Sequence, residues 1–193
     1  MRSAGTARAM SENPWAQPAQ PADEPPEAAP VVAPIVTPHR GVEAPRNGLA
    51  VNQTANRDQP ALVVVGCHGG AGESTLAALL PGAAEGSHAW PSPAETTVRV
   101  LLCARTSARG LQAASTALAQ WMAGAVKTEL IGLVLIADAP RKLPRTLRER
   151  ARIIEGGAPA AWRIPWIPAW REGRLDASDH PRAVRKLLED LEP

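Results

Sequence analysis

From Ala61 onward the chain alternates short apolar runs with longer amphipathic stretches. The runs are ALVVVG (61–66), VRVLLCA (98–104), LIGLVLIA (130–137) and AWRIPW (161–166). Nearly unbroken apolar runs of this length suit strands buried on both faces. The stretches between them have helical character. GESTLAALL (72–80) reads as a short helix ended by Pro81 and Gly82. In 106–124, Leu111, Ala114, Leu118 and Trp121 recur at helical spacing, with Thr106 or Ser107 able to cap. LPRTLRERARIIEGG (143–157) is a helix stopped at Gly156 and Gly157. SDHPRAVRKLLEDLE (178–192) closes the chain as a helix, capped by Ser178 or Asp179, with Pro181 in its first turn. Residues 81–97, PGAAEGSHAWPSPAETT, read as a loop.

Strands alternating with helices predict an α/β fold: a parallel sheet of four or five strands, in two or three layers, with right-handed crossovers. If the strands lie in sequential order, the connecting helices fall on one face. The other face then needs a cover: the terminal helix, the N-terminal segment, the 81–97 loop or a second molecule. Val184, Leu187, Leu188 and Leu191 give the terminal helix a suitable apolar stripe. Its polar side mixes Arg182, Arg185 and Lys186 with Glu189, Asp190 and Glu192, which suits packing rather than membrane anchoring.

Residues 1–59 have a different texture. Proline recurs every few residues through NPWAQPAQPADEPPEAAPVVAPIVTP, removing amide donors and fixing φ. The expected organisation is a disordered Pro/Ala-rich arm over 1–59 and an α/β domain over 60–193. The arm is a solvated spacer or a docking segment with Trp15 as its anchor.

Composition narrows the function classes. The chain has 193 residues and six Trp but no Phe or Tyr, so tryptophan carries all the aromatic bulk. A net charge of +2 implies no polyanionic partner by itself. Cys67 and Cys103 both fall in apolar runs and form neither a metal motif nor a disulfide framework, which suits a reduced cytoplasmic setting. The N-terminus lacks the apolar segment of a secretory signal, and no apolar run nears the roughly 18 residues that span a bilayer.

The chemistry concentrates in GCHGGAGEST (66–75), at a strand-to-helix turn. A phosphate-binding loop has this build: glycines let the backbone turn sharply, converging N–H groups cradle the anion, and the helix dipole reinforces them. Such loops add a lysine for the phosphates and a hydroxyl for Mg²⁺. Here Ser74 and Thr75 supply hydroxyls, but Glu73 stands in the lysine's place. Like charges at about 4 Å repel by about 4 kcal/mol at an effective dielectric of 20.

The segment resembles the deviant Walker A loop, K-G-G-x-G-K-[ST]-T, of the ParA/MinD-like ATPases of the SIMIBI class. Aligned on it stand His68, Gly69, Gly70, Ala71, Gly72, Glu73, Ser74 and Thr75. The three glycines and two hydroxyls match; both lysines are replaced, by His68 and Glu73. VRVLLCARTSARGLQAA resembles the family's strand and helix after its hydrolysis machinery. ELIGLVLIADAP resembles the strand leading to base recognition, and WRIPWIPAWREGRL its late segment beside the adenine. The resemblance covers 61–176 in shortened form. It implies a P-loop-like sheet and a nucleotide or phosphate site at His68, Gly69, Gly70, Gly72, Glu73, Ser74 and Thr75. Arg105 and Arg109 are candidates to offset Glu73 or to pair with it and plug the site. It further implies a base-proximal group at Pro165, Trp166 and Ile167.

The family's magnesium-linked and water-activating acids have no counterpart in 81–97, although Asp138 ends an apolar strand and is a candidate substitute. The expected protein is therefore a degenerate ParA/MinD-like pseudo-NTPase: an accessory or regulatory binding module with weak or no nucleotide binding and no hydrolysis. It needs no cofactor and has no catalytic or metal-binding residues. One alternative is a functional ATPase using ATP with Mg²⁺ in DNA partitioning or transfer. Another is a structural protein-interaction domain.

Arg141, Arg145, Arg148 and Arg152 recur at three- and four-residue steps and stripe one face of a helix, with Leu147, Ala151 and Ile154 on the other. The stripe is a solvated face, a contact for DNA phosphates or a contact for an acidic protein. Partners on this reading are an unidentified protein, a second copy of the chain or nonspecific DNA, with no membrane. Trp162, Trp166 and Trp170 are separated by prolines that forbid a helix, and core packing outweighs base stacking for them. Cys67 beside His68 lacks an orienting third group, so thiol catalysis is not expected.

Overall fold

The structure, a computed structural model, describes residues 47–54, 60, 62–93, 98–175 and 180–191. All of them fall in one compact unit, Arg40–Pro193. The expected disorder over 1–46 and 55–59, the Trp15 anchor, and the caps Ser178 and Asp179 lie outside the described residues.

The elements in order are β1 (Ala50–Thr54), β2 (Leu62–Gly66), α1 (Glu73–Leu79), β3 (Ala83–Glu85), β4 (Ala89–Pro93), β5 (Val98–Arg105), α2 (Ala108–Met122), β6 (Thr128–Ile136), α3 (Arg145–Glu155), β7 (Ala161–Ile164), α4 (Pro168–Arg171) and α5 (Arg182–Leu191). The main sheet has five strands in the order β3-β2-β5-β6-β7, all parallel. The expected α/β class, strand number and layering are observed.

β2, β5, β6 and β7 follow one another sideways, whereas β3 lies on the far side of β2. Right-handed crossovers running in opposite directions place their helices on opposite faces. Accordingly α2 and α3 cover Val63, Val65, Val100, Leu102, Leu133 and Leu135. Leu76 of α1 lies in the other core, with Val64, Leu101, Cys103, Val134 and Ile136. Val184 and Leu187 of α5 are buried there too, with Leu188 and Leu191 packed alongside, so the terminal helix covers the second face as its stripe predicted. The expectation that every connecting helix shares one face fails for α1, because 81–97 contains a strand that the sequence reading missed.

β6 changes parity part-way. Val100 pairs with Leu130, but Leu101 pairs with Gly132, leaving Ile131 as an extra residue. Such a bulge flips every later side chain to the other face. Leu130 and Leu133 thus both reach the α2/α3 core. Gly132 then backs onto Trp162: a Cβ there would lie 2.5 Å from the ring. Trp162 is buried and its indole N–H donates to Asp190 Oδ2 at 2.8 Å, tying β7 to α5.

Two expectations are corrected. Residues 81–97 are not all loop, since β3 and β4 lie there. β3 has three residues, two of them alanine, and carries no strand propensity to read. β4 contains Pro91 and Pro93, which disguise it. Both share the parity of Ala89, whose N–H turns back to Gly86 O at 3.2 Å, so their missing donors cost β4 no ladder bond. Part of the segment expected as arm, Ala50–Thr54, is a strand. Ala50–Thr54 pairs in parallel with Ala89–Pro93 as a separate two-stranded sheet. No proline falls between Pro45 and Pro60, and that gap was the available signal.

Candidate functional site

The glycine loop occupies the point where the sheet's connections diverge, between β3 on one side of β2 and β5 on the other. Open α/β sheets bind ligands at such a point, beyond the carboxyl ends of the strands. Cys67 N–H bonds Cys103 O at 2.9 Å and fixes the start of the loop to β5. Gly70 and Gly72 take left-handed φ of 73° and 103°. A Cβ on Gly72 would lie 2.5 Å from Ile136 Cδ1, so this turn admits only glycine, and α1 begins at the next residue.

Glu73 is 4% exposed. Its carboxylate accepts from His88 Nδ1 at 2.7 Å and from the His88 backbone N–H at 3.3 Å. The same Nδ1 lies 3.2 Å from Gly66 O. A ring nitrogen facing two acceptor oxygens must carry a proton. The first turn of α1 also favours the carboxylate through the helix dipole. Gly66 makes room for the pair: its Cβ would lie 2.7 Å from His88 Nδ1 and 2.8 Å from Glu73 Oε2. Ser87 and His88 are themselves left-handed, with φ of 54° and 56°, an arrangement that costs on the order of 1–3 kcal/mol per residue.

The expected partners of Glu73 were Arg105 and Arg109, and here the structure differs. Arg105 donates from Nε to Gly70 O at 3.1 Å and from Nη1 to Ala137 O at 3.2 Å. Burial, with Arg171 nearby as a second cause, holds its pKa below the usual arginine value. Arg109 is exposed on the first turn of α2. His68 turns onto β5: its Nε2 accepts from the Arg105 backbone N–H at 3.0 Å, so Nδ1 holds the proton that goes to Gly69 O at 2.9 Å. Gly110 permits this approach, since a Cβ there would lie 2.2 Å from Arg105 O and 2.9 Å from His68 Nε2.

Ser74 Oγ–H donates to Glu85 Oε2 at 2.9 Å. Glu85, at the end of β3, is an acid beside the loop that the sequence reading did not find. His88 was also missed. Both come from the segment read as a loop, and EGSH offered only polar residues around a glycine. Gly70, Gly72, Ser74, Thr75, Glu85 and Arg105 are among the residues lining a cleft of about 510 Å³. Among the described residues no group of three or more His, Cys, Asp or Glu side chains is placed to hold a metal ion. Cys67, under the loop, has its thiol pushed up to about 12 by burial, with the Glu73 charge adding to it, and is no nucleophile at neutral pH.

The remaining predicted residues do not converge on this cleft. Asp138 lies two residues past the end of β6, the strand beside β5, and its N–H bonds Thr106 Oγ1 at 3.2 Å. Asp138 and Pro165 line a second, apolar cavity of about 680 Å³, walled by Leu135, Leu143, Leu147 and Ile164, with Arg141 and Lys142 among its lining. Trp166 instead lies under the Arg171 guanidinium, 4.8 Å from the ring centre, and Ile167 packs in the α1/α5 core. Arg141 lies ahead of α3, off the expected stripe, whereas Arg145, Arg148 and Arg152 are exposed along the helix, Ala151 and Ile154 face inward and Leu147 is half-buried. Arg145 pairs with Glu149 at 2.8 Å.

A family model matches residues 60–188. The chain belongs to DUF6668, a family of unknown function. Comparison with curated proteins and with solved structures gives no match. In this DUF6668 chain the matched region holds the whole five-stranded sheet and the glycine loop; β1 precedes it. Among the described residues no helix is long and apolar enough to cross a membrane.

Proposed function

We propose that this protein is a degenerate ParA/MinD-like P-loop protein: an accessory or regulatory binding module whose phosphate cradle is closed by its own side chains and which does not hydrolyse nucleotide. The buried pairing of Glu73 with His88 carries this reading. A triphosphate does not fit the groups present. Two carboxylates, Glu73 and Glu85, line the cleft, and its one arginine is tied to the carbonyls of Gly70 and Ala137. Ligand and protein would repel where phosphate sites supply a cation.

One observation favours the second reading, a working ATPase. Ser74 and Glu85 put a hydroxyl and a carboxylate side by side, and Mg²⁺ takes such oxygens alongside water and phosphate. That pair fits the ion but not the nucleotide it would accompany, because Glu73 stands at the lysine's place and supplies no cation.

Calorimetric titration of Mg–ATP into the full chain tests the proposal. Wild type is expected to show no saturation in the micromolar range, and Glu73→Lys to gain binding. Micromolar binding by wild type, accompanied by phosphate release, would sink it. Silence from both proteins would favour a structural interaction domain.

A further inference from the structure

The plug on the glycine loop is connected to a distant stretch of chain. Gln120, in the last turn of α2, is 7% exposed. Its Oε1 accepts from Leu49 N–H at 2.8 Å and from Trp90 Nε1–H at 3.1 Å, and its Nε2 donates to Leu49 O at 3.0 Å. One amide therefore grips the residue that enters β1 and the second residue of β4. The two bonds to Leu49 use both polar groups of its backbone, the way a neighbouring strand would. The grip is close: a Cβ on Gly48 would lie 2.0 Å from Gln120 Cδ.

β1 then pairs with β4 from Ala50 opposite Ala89 to Thr54 opposite Pro93. Among the described residues β4 has no other strand partner. The residue before β4 is His88. Left-handed conformations at two successive non-glycine residues persist only where both flanks hold them. On one flank Gly86 N–H bonds Val64 O at 2.8 Å. On the other flank Ala89 N–H closes the turn on Gly86 O at 3.2 Å, and β4 is kept in place by β1, by the Trp90 indole on Gln120 and by the burial of Trp90 in the α2/α3 core.

We infer that residues 47–54 form a strap that holds His88 on Glu73, so that displacing this segment opens the glycine-loop cleft. The inference rests on the closed cradle proposed above and adds its control. With the strap lifted, β4 loses its strand partner and Trp90 shares in the loss of the Gln120 network. Ser87 and His88 relax, and the Glu73 carboxylate loses its partner in the cleft lining. The strap lies ahead of the family-matched region, so it is a separate stretch of sequence from the cradle it closes. Chain N-terminal to it is proline-rich, the kind of sequence that aromatic-lined grooves on other proteins take. A partner pulling there would lift the strap.

The test uses the full chain with Gln120→Ala, and with Gly48→Val as the variant that releases the strap while leaving the core side chains intact. Hydrogen exchange reads the strap, and the ring ¹⁵N and Nδ1–H resonances of His88 read the plug. Exchange at Ala50–Thr54 should quicken about tenfold, the loss expected of one buried polar network. The His88 resonances should shift to those of a free ring while those of His68 stay in place. Faster strap exchange with unmoved His88 resonances in either folded variant would overturn the strap. Micromolar Mg–ATP binding by wild type would instead overturn the closed cradle on which the inference rests. A nucleotide-silent wild type whose His88 ignores the strap overturns the strap alone.

Discussion

The carboxyl edge of the sheet carries two hollows of opposite design. In the glycine-loop cleft the charged and polar groups are turned on one another: Glu73 on His88, Glu85 on Ser74, Arg105 on Gly70 and Ala137. Beyond β6 the cavity is walled by apolar side chains, with Arg141 and Lys142 in its lining and the α3 arginines exposed beyond it. The sequence advertises the first hollow with four glycines and is silent about the second. A loop motif specifies a backbone shape; whether a ligand can use it depends on side chains supplied from elsewhere, here from β3 and the turn before β4. If this contrast holds, substitutions in the cleft cost stability, and substitutions among the outer arginines cost association alone.

The largest expected effect concerns Cys67, buried in the α2/α3 core at the start of the glycine loop. Burial, with the Glu73 charge second, takes its thiol from 9.0 to about 12. At pH 8 the folded protein then presents about a thousandfold less thiolate than a free cysteine, and alkylation by iodoacetamide should slow at least in proportion. The linkage runs in a definite direction. A folded pKa above the unfolded one gives stability that is complete below pH 9 and drains away as pH climbs toward 12. Mass spectrometry of alkylated protein with and without denaturant checks the first point. Labelling of the native protein at the free-thiol rate would mean that the loop opens readily and the cleft is not closed.

Next come the glycines within the loop itself. Gly72→Ala combines a left-handed φ with a methyl 2.5 Å from Ile136 Cδ1 and should destabilise by about 3 kcal/mol. A methyl on Gly69 would meet nothing within 4 Å, and this residue carries no left-handed φ, so Gly69→Ala should stay within about 0.5 kcal/mol. Urea unfolding separates the two. Equal costs would show that the turn is not packed on β6 as described.

His88→Ala follows. It leaves the Glu73 carboxylate buried with no side-chain partner. Removing one member of a buried pair costs about 3–5 kcal/mol, but the His88 side chain is 45% exposed, which lowers the expectation to about 2 kcal/mol. The double variant with Glu73→Gln should recover part of that loss, because the charge goes with its partner. An additive double variant would mean that the pair contributes nothing as a pair.

These contrasts also explain what could be read from sequence. The strands β2, β5, β6 and β7 and the helices α1, α2, α3 and α5 were legible because their burial is periodic or continuous, as in Val63–Val65 and Leu101–Cys103. The stripe of α5 was legible for the same reason. β3 and β4 were not, because short strands built of alanine and proline are held by their neighbours rather than by their own preferences. The site followed the same rule. Local glycine chemistry placed the loop, and Ser74 and Thr75 beside it. The partner of Glu73 was sought among arginines because opposite charge is the obvious remedy, whereas the chain brings a histidine through a left-handed turn that no local pattern announces.

The smallest expected effect tests the outward half of the contrast. Arg148 and Arg152 are exposed on α3, while Arg145 is engaged with Glu149 at 2.8 Å. If this face meets DNA phosphates, each arginine that makes a contact adds about 0.9 to the slope of log affinity against log salt. Arg148→Ala should therefore lower the slope by about one, uniformly across sequences. Arg145→Ala should lower it by less, since its guanidinium is shared with Glu149, and Glu149→Gln should raise affinity by freeing it. Unfolding midpoints should not move in any of the three, because exposed ion pairs contribute only about 0–1 kcal/mol. Gel retardation over a range of salt concentrations reads the slopes. Wild type that fails to retard DNA at low salt removes nucleic acid as the partner and leaves an acidic protein surface. Loss of stability in Arg148→Ala would instead show that the arginines are part of the packing, and the two hollows would no longer differ in kind.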